Sequence, residues 1–381
     1  MSTLFIIFIG ISTLLWLSVY GYFLILWVIA NRKLYPDQEI KNFPDITAVI
    51  PTLNEEEFIL SKLEDLKSTD YPADCMNILV VDGGSTDKTP ELVEREIESG
   101  EKVQLLRLYG SRGKSDQIRH AVDNVSTDII VINDADSILE ASCIKELVSH
   151  LILNPKLAVV GATVEPDSTL LEERIHWRFL NLIWWLEGRA LSAASICGVC
   201  YAFRHEKVIP SDQDVRAEDI HLALKASSRG HHVHICHKAH AIETRVPQTV
   251  AEFIKFRRRR GRSYISELLG TKNYRHAPYA FQLGHLMRLW HYFIVPKIGI
   301  GIALLSLALL FSPYRIWLIP SFIGLAAPAL ILILASSIAS GEKFRWFKLC
   351  WASVRLFVLT SIALLALYSY PKKQGPVGER T

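Results

Sequence analysis

Two carboxylates, Asp134 and Asp136, follow directly on the apolar run DIIVIN at residues 128–133. Acids two apart on extended backbone share a face. A pair of carboxylate oxygens suits a hard divalent cation, which keeps its remaining positions for water and phosphate oxygens. A cation held there beside a diphosphate would stabilise the charge that develops as the diphosphate leaves. A solitary Asp-x-Asp is equally a solvated turn, so its meaning depends on what accompanies it.

Three more polar clusters have the same setting. Asn54-Glu55, Asp82-Gly83-Gly84-Ser85 and Arg112-Gly113-Lys114 each come shortly after an apolar segment, and the paired glycines allow close backbone approach to a ligand. Further on, Glu218-Asp219 opens the amphipathic stretch EDIHLALKASSRG. An acidic pair at a helix start is favoured by the macrodipole alone. Beside a metal–phosphate site the aspartate also qualifies as general base for an acceptor hydroxyl. Residues 257–262 read RRRRGR, which fits a solvated face, a contact with anionic lipid headgroups or a phosphate clamp. Helical spacing keeps the five arginines from facing one ligand together.

The segments that must position these residues alternate in type. DITAVIP, MNILVVD, VQLLRLY and DIIVIND read as strands, and the stretches through Leu66, ELVEREIE and SDQIRHAVDNV read as helices. This is an α/β pattern: a Rossmann-like parallel sheet covered on both faces, which explains its continuously apolar strands. Ligands of such sheets bind beyond the carboxyl ends of the strands, where all four loops fall.

Half of the 381 residues are hydrophobic and the mean hydropathy is positive, which directs attention to membrane segments. Residues 4–30 are uncharged and exceed the roughly 20 needed for a crossing. Arg32 and Lys33 follow, so the positive-inside rule puts the amino terminus outside and the next domain in the cytoplasm. Three later stretches, 293–311, 316–338 and 350–370, have crossing length, with Lys297 and Arg355 near their cytoplasmic ends. The expected plan is a transmembrane helix (1–30), a cytoplasmic catalytic domain (31–278), an interfacial amphipathic helix (279–292), three transmembrane helices (293–370) and a tail (371–381), making an integral protein of the plasma or cell membrane. A second amphipathic stretch, TLLEERIHWRFLNLIWWLEGRA, fits either a core helix or a membrane-surface helix. A net charge of +3 argues against a nucleic-acid partner, and the six scattered cysteines against a disulfide framework.

The motif series PTLNEE, VVDGGSTDKT, RGKSDQIRHA, INDADSIL, ICGVCYAFRHEKV, AEDIHLALKASSRG and TRVPQTVAEFIKFRRRRGRS resembles, in order, the membrane-bound family 2 inverting glycosyltransferases. These include cellulose, chitin and hyaluronan synthases and the related ceramide glucosyltransferase. The resemblance covers about residues 45–265. It implies a GT-A fold, a nucleotide-diphosphate sugar donor, expected to be UDP-linked, and Mg2+ or Mn2+. Carried over, Asn54, Glu55 and Asp82 line the nucleoside pocket, with Thr52 and Lys114 also on the donor. Asp134 contacts donor and metal, Asp136 binds the metal, and Asp219 is the base. Gly198 and Glu218 lie on the acceptor side, and Arg258 and Arg259 face the donor diphosphate.

Two departures stand out. Gly83 replaces the family's usual second aspartate, removing one nucleotide contact. Of Gln-x-x-Arg-Trp only Arg259 remains, with Phe256 and Arg260 at the glutamine and tryptophan positions. The tryptophan supports the acceptor in processive enzymes, so its loss and the small membrane part point to a lipid acceptor made into a glycolipid. A processive polysaccharide synthase with a glycan acceptor is the alternative, and a nucleotide-regulated membrane transporter or scaffold the non-enzymatic one. A nucleotidyltransferase would share the sheet and metal but release pyrophosphate. A thiol–histidine zinc site built from Cys197, Cys200 and HHVHICHKAH is disfavoured, because cysteines three apart on a strand point to opposite faces.

Overall fold

Each polar loop does follow a strand in the computed structural model, which describes residues 3–31, 40–111, 113–193, 195–207, 215, 217–271, 274–324, 351, 352 and 355. Helices α1 (Thr3–Trp16) and α2 (Tyr22–Ala30) run on through a π-helical turn. The domain then proceeds β1 (Ile46–Thr52), α3 (Ile59–Lys67), β2 (Met76–Asp82), α4 (Thr89–Glu98), β3 (Val103–Arg107), α5 (Lys114–Asp123), β4 (Ile129–Asn133) and β5 (Ser137–Leu139). After α6 (Cys143–Leu153) come β6 (Leu157–Pro166), α7 (Leu171–Ala190), β7 (Cys200–Arg204), α8 (Glu218–Ser228), β8 (His232–Glu243) and α9 (Val250–Gly270). Helices α10 (Tyr279–Phe293) and α11 (Val295–Leu309) follow.

The strands form one sheet in the order β3-β2-β1-β4-β7-β6-β8-β5. β1 is parallel to both β2 and β4, and β2 to β3, while β7 runs antiparallel between β4 and β6. The carboxyl ends of β1, β2 and β4 and the start of β7 therefore share one edge. β8, parallel to β6, ends at that edge as well.

Strand periodicity feeds two cores. Ile46, Ala48 and Ile50 of β1 pack on the side of α3, α4 and α6, while Val49 packs on the side of α5 and α8. β2 divides in the same way, with Ile78 and Val80 against Leu79 and Val81. In α3, Ile59, Leu63 and Leu66 recur at helical spacing and are fully or almost fully buried.

One polar side chain lies inside the first core. Lys62 of α3 has no exposed side-chain surface, and its ammonium donates to Asp65 at 2.7 Å, Ser137 at 3.0 Å and Asn133 at 3.2 Å. Asn133 and Ser137 flank the Asp134–Asp136 segment, so this buried cation anchors both ends of that loop.

Helix α7 packs both on the domain and on α2, as a core helix does. Ile175 and Trp177 are buried in the domain, and Leu186 and Ala190 pack with Tyr22, Leu26 and Ala30 of α2. Its buried acids are all paired with arginines: Glu172 with Arg355, Glu173 with Arg257 and Glu187 with Arg288.

Two spans, Thr3–Ala30 and Tyr279–Leu309, are helices long and apolar enough to cross a membrane. The separate interfacial helix expected at 279–292 is continuous with the crossing that follows. Ile294 hydrogen-bonds to Trp290 and Ile298 to Ile294, and Pro296 sits early enough in α11 to be tolerated. α1 and α11 pack through Phe5, Phe8, Ile302 and Leu309. Their other sides expose Ile6, Ile9, Leu304 and Leu307. The expected crossing 316–338 is described only as far as Gly324, and most of 350–370 and the tail lie outside the described residues.

Replacing Lys62 by Met should cost about 3 kcal/mol, because it leaves Asp65 and the two loop-flanking side chains without their buried cation. Denaturant unfolding of wild type and Lys62→Met would measure the loss. Equal stability would show that the cluster is not a structural anchor.

Candidate active site

The Asp134–Asp136 segment is a turn, not a continuation of β4. The strand geometry expected to align the two acids is therefore absent, and the loop is shaped by hydrogen bonds. Asp134 N–H donates to Val199 O at 3.0 Å and Ser137 N–H to Asp134 O at 3.2 Å. Thr244 Oγ1 donates to Asp136 O at 2.5 Å.

Lys114 is the hub. It is the first residue of α5, placed there by Gly113, whose φ of 110° is a conformation that favours glycine. Its ammonium lies 2.6 Å from Asp134 Oδ1 and 2.8 Å from Glu218 Oε1, and donates to Gly198 O at 2.8 Å. One cation thus joins the Asp134 turn, the Gly198 segment and the head of α8. Ser115 adds a bond to Val215 O in the approach to α8, at 2.9 Å.

Asp219 is the second residue of α8. Its Oδ1 accepts from Ile220 N–H at 2.8 Å. Its Oδ2 lies 3.1 Å from the point a β-carbon on Gly198 would occupy. Burial, and then the neighbouring Glu218 charge, push its carboxyl up to about 7, against the opposing pull of Lys114 and Arg260. An aspartate tuned to that range can both accept and release a proton at neutral pH. Glu218 and Asp134 therefore meet on the same lysine, and Asp219 Oδ2 lies next to them at Gly198.

Asp136 meets a different cation. Its Oδ2 lies 3.3 Å from Arg245 Nε, and burial and the Asp134 charge raise its carboxyl above the usual range. Arg245 also makes a two-pronged pair with Glu55, at 2.9 and 2.5 Å.

The remaining expected donor residues are largely occupied in building loops. Thr52 is buried at the end of β1, its hydroxyl donating to Val81 O. Asn54 adopts φ of 56° and accepts from Thr86 N–H, while its own N–H donates to Ser85 Oγ, each at 2.8 Å. Asp82 is buried and accepts from the N–H groups of Gly84 and Ser85. At Gly83 a larger residue would require the Gln117 side chain to move. A β-carbon there would sit 1.9 Å from Gln117 Nε2, which donates to Thr52 O.

The arginine row differs from expectation. Arg259 is exposed and lies over the Phe256 ring, and Arg258 makes none of the site contacts described here. Arg257 and Arg260 turn inward, to Glu173 and Glu243, and Arg260 is the guanidinium that acts on Asp219. The signal was available: Phe253, Arg257, Arg260, Tyr264 and Leu268 fall at helical spacing on one face. Arg112 lies outside the described residues.

The thiol–histidine alternative is not assembled from the expected residues. Cys197 lies outside β7, before the Gly198–Val199 turn, and both it and Cys200 are buried as free thiols. Among the described residues, three such ligand atoms gather within 4.8 Å of one another only at Glu146, His150 and Cys236. There His150 Nδ1 meets its own helix at Glu146 O, 2.9 Å away, and burial pushes the Cys236 thiol up to about 12, which suits a hydrogen-bonded core thiol.

The chain matches the family described as Glycosyl transferase family 2 over residues 47–205, and Glycosyl transferase family group 2 over residues 129–370. It is 28% identical over 211 residues to a probable glycosyltransferase, YdaM, of Bacillus subtilis, covering 51% of this chain and 50% of that protein. It is 25% identical over 211 residues to the poly-beta-1,6-N-acetyl-D-glucosamine synthase of Staphylococcus aureus, covering 53% and 50%. The chain thus spans about half the length of these curated relatives. Its fold is shared with the mannosyltransferase PcManGT of Pyrobaculum calidifontis, solved with GDP-Man and Mn2+. The TM-score is 0.67 at 22% identity, over 93% of this chain and 98% of that one.

Lys114→Met should destabilise the protein, more at about pH 8 than at about pH 5.5, because Asp219, raised to about 7, is protonated at the lower pH and no longer repels its acidic neighbours. Thermal unfolding at the two pH values checks this. An equal loss at both would mean that Lys114 acts through packing and not through charge.

Proposed function

Since the chain belongs to glycosyl transferase family group 2, we propose that it moves a sugar from a nucleotide-diphosphate sugar, UDP-linked, to a membrane-associated lipid hydroxyl, with inversion at the anomeric carbon. The observation that carries this reading is the placing of Asp219. It has one oxygen held by the head of α8 and the other directed at Gly198, across Lys114 from Asp134.

The acceptor hydroxyl enters beside Gly198 and gives its proton to Asp219. The acceptor oxygen bonds to the anomeric carbon as the bond from that carbon to the diphosphate oxygen breaks. The nucleoside diphosphate departs as an anion on the opposite side. Lys114 holds the base and the donor side at a fixed separation, and its charge favours the ionised form of Asp219. Arg260 adds a second cation on the Glu243 side.

The family implies a divalent cation, and the residues fit one. Asp134 and Asp136 offer only oxygen donors, and burial together with the Asp134 charge raises the Asp136 carboxyl, so a further cation beside the two would be favoured. They would hold Mg2+ or Mn2+, which supplies positive charge to the departing diphosphate.

The membrane setting is supported by the two apolar spans and their exposed faces, and by α7, which joins the domain to α2. We place the catalytic domain on the cytoplasmic side, the side of Arg32 and Lys33. The likeness to a poly-N-acetylglucosamine synthase favours a second reading, repeated addition to a glycan. Family membership removes the transporter or scaffold alternative.

Full-length protein in lipid nanodiscs, given radiolabelled nucleotide sugars, should yield a lipid-soluble product of one added sugar and a nucleoside diphosphate. A ladder of polymers would favour the synthase reading. Asp219→Asn should lower turnover by roughly two to four orders of magnitude, the usual worth of a general base, with donor affinity nearly unchanged. Loss of donor binding together with turnover would make Asp219 structural.

A further inference from the structure

We propose that Arg245 is a built-in placeholder for the divalent cation, holding Asp136 while the donor is absent and exchanging it for the donor's diphosphate when nucleotide and cation arrive together. This rests on the reading of Asp134 and Asp136 as cation ligands.

Arg245 follows β8 by two residues and reaches two loops at once. Its terminal nitrogens form the two-pronged pair with Glu55 just beyond β1, and its Nε faces Asp136. The guanidinium also lies 4.6 Å from the centroid of the Phe58 ring. A planar fork of this kind matches a carboxylate and a phosphate equally well.

The partners are unequally anchored. The Glu55 side chain is only 5% exposed and the Arg245 side chain 43% exposed, so Glu55 is a fixed pivot and the arginine has open space beside it. The Asp136 contact, at 3.3 Å, is the longest of its charged contacts. It is therefore the one most readily given up. Thr244, the preceding residue, holds the Asp136 backbone independently, so the turn keeps its place when the arginine leaves.

The consequence is an ordered site. A cation arriving alone must displace a resident positive charge from Asp136. A cation arriving with a diphosphate offers that arginine a new anion in exchange. Cation and nucleotide then bind cooperatively, and Arg245 is a positioning residue for both.

The test is Mn2+ binding to the full-length protein in detergent micelles, followed by electron paramagnetic resonance, alone and with UDP or GDP. Wild type should bind Mn2+ weakly alone and roughly 5- to 150-fold more tightly with nucleotide, the usual range of coupling between sites. Arg245→Gln should bind Mn2+ alone more tightly than wild type and lose most of the coupling. Arg245→Lys, which keeps the charge, should stay near wild type for Mn2+ alone. Unchanged or weaker Mn2+ binding in folded Arg245→Gln would overturn the proposal. If that variant fails to fold, independent binding of Mn2+ and nucleotide by wild type would overturn it. Absence of Mn2+ binding to wild type under every condition would instead sink the cation reading of Asp134 and Asp136.

Discussion

A single ammonium group, that of Lys114, holds the chemistry of this protein together. Three segments far apart in sequence converge on it: the Asp134 turn, the Gly198 loop and the head of α8. Without a cation at that point, Asp134, Glu218 and Asp219 would repel one another across a partly buried recess, where charge is poorly screened. With it, the Asp134 turn and the head of α8 stand at a fixed separation. The sheet makes this possible, because the carboxyl ends of its parallel strands and the start of antiparallel β7 lie on one edge.

A second set of ion pairs joins this edge to the apolar helices. Glu172, Glu173 and Glu187 on α7 meet Arg355, Arg257 and Arg288 respectively. Tyr22 of α2 also donates to Glu187, at 2.9 Å. Because α7 lies against both β8 and α2, its position fixes α9 and its arginines relative to the long apolar spans. For a lipid acceptor, this is the coupling that would bring the headgroup hydroxyl to the depth of Asp219.

The repeating strand–loop–helix units were legible because burial on both faces leaves uninterrupted apolar runs that stop at polar loops. Asp134, Asp136 and Lys114 stand out for the same reason, and Asp219 stands out as an acid opening an amphipathic helix. What could not be read was pairing across long separations. Arg245 and Glu55 are 190 residues apart, and nothing local to TRVPQ identifies that partner. Lys62 looked like one more lysine on an amphipathic helix, although it is buried under the turn. β6 and the short β5 were not foreseen. Motif alignment points to Arg259, with Arg258 beside it. The helical period of α9, which follows from side-chain geometry, points the other way.

The central claim is that Asp219 takes the acceptor proton while Lys114 tunes it, with Glu218 and Arg260 as the other charges facing it. Its most direct test is the pH profile of single-turnover sugar transfer by wild type and Lys114→Gln. The account predicts a rate that rises with pH as Asp219 ionises, with a midpoint near about 7 in wild type. In the variant the midpoint moves upward, since a positive charge that favours the ionised carboxylate is gone. A profile that is flat across that range, or a midpoint that stays in place when the lysine charge is removed, would contradict it.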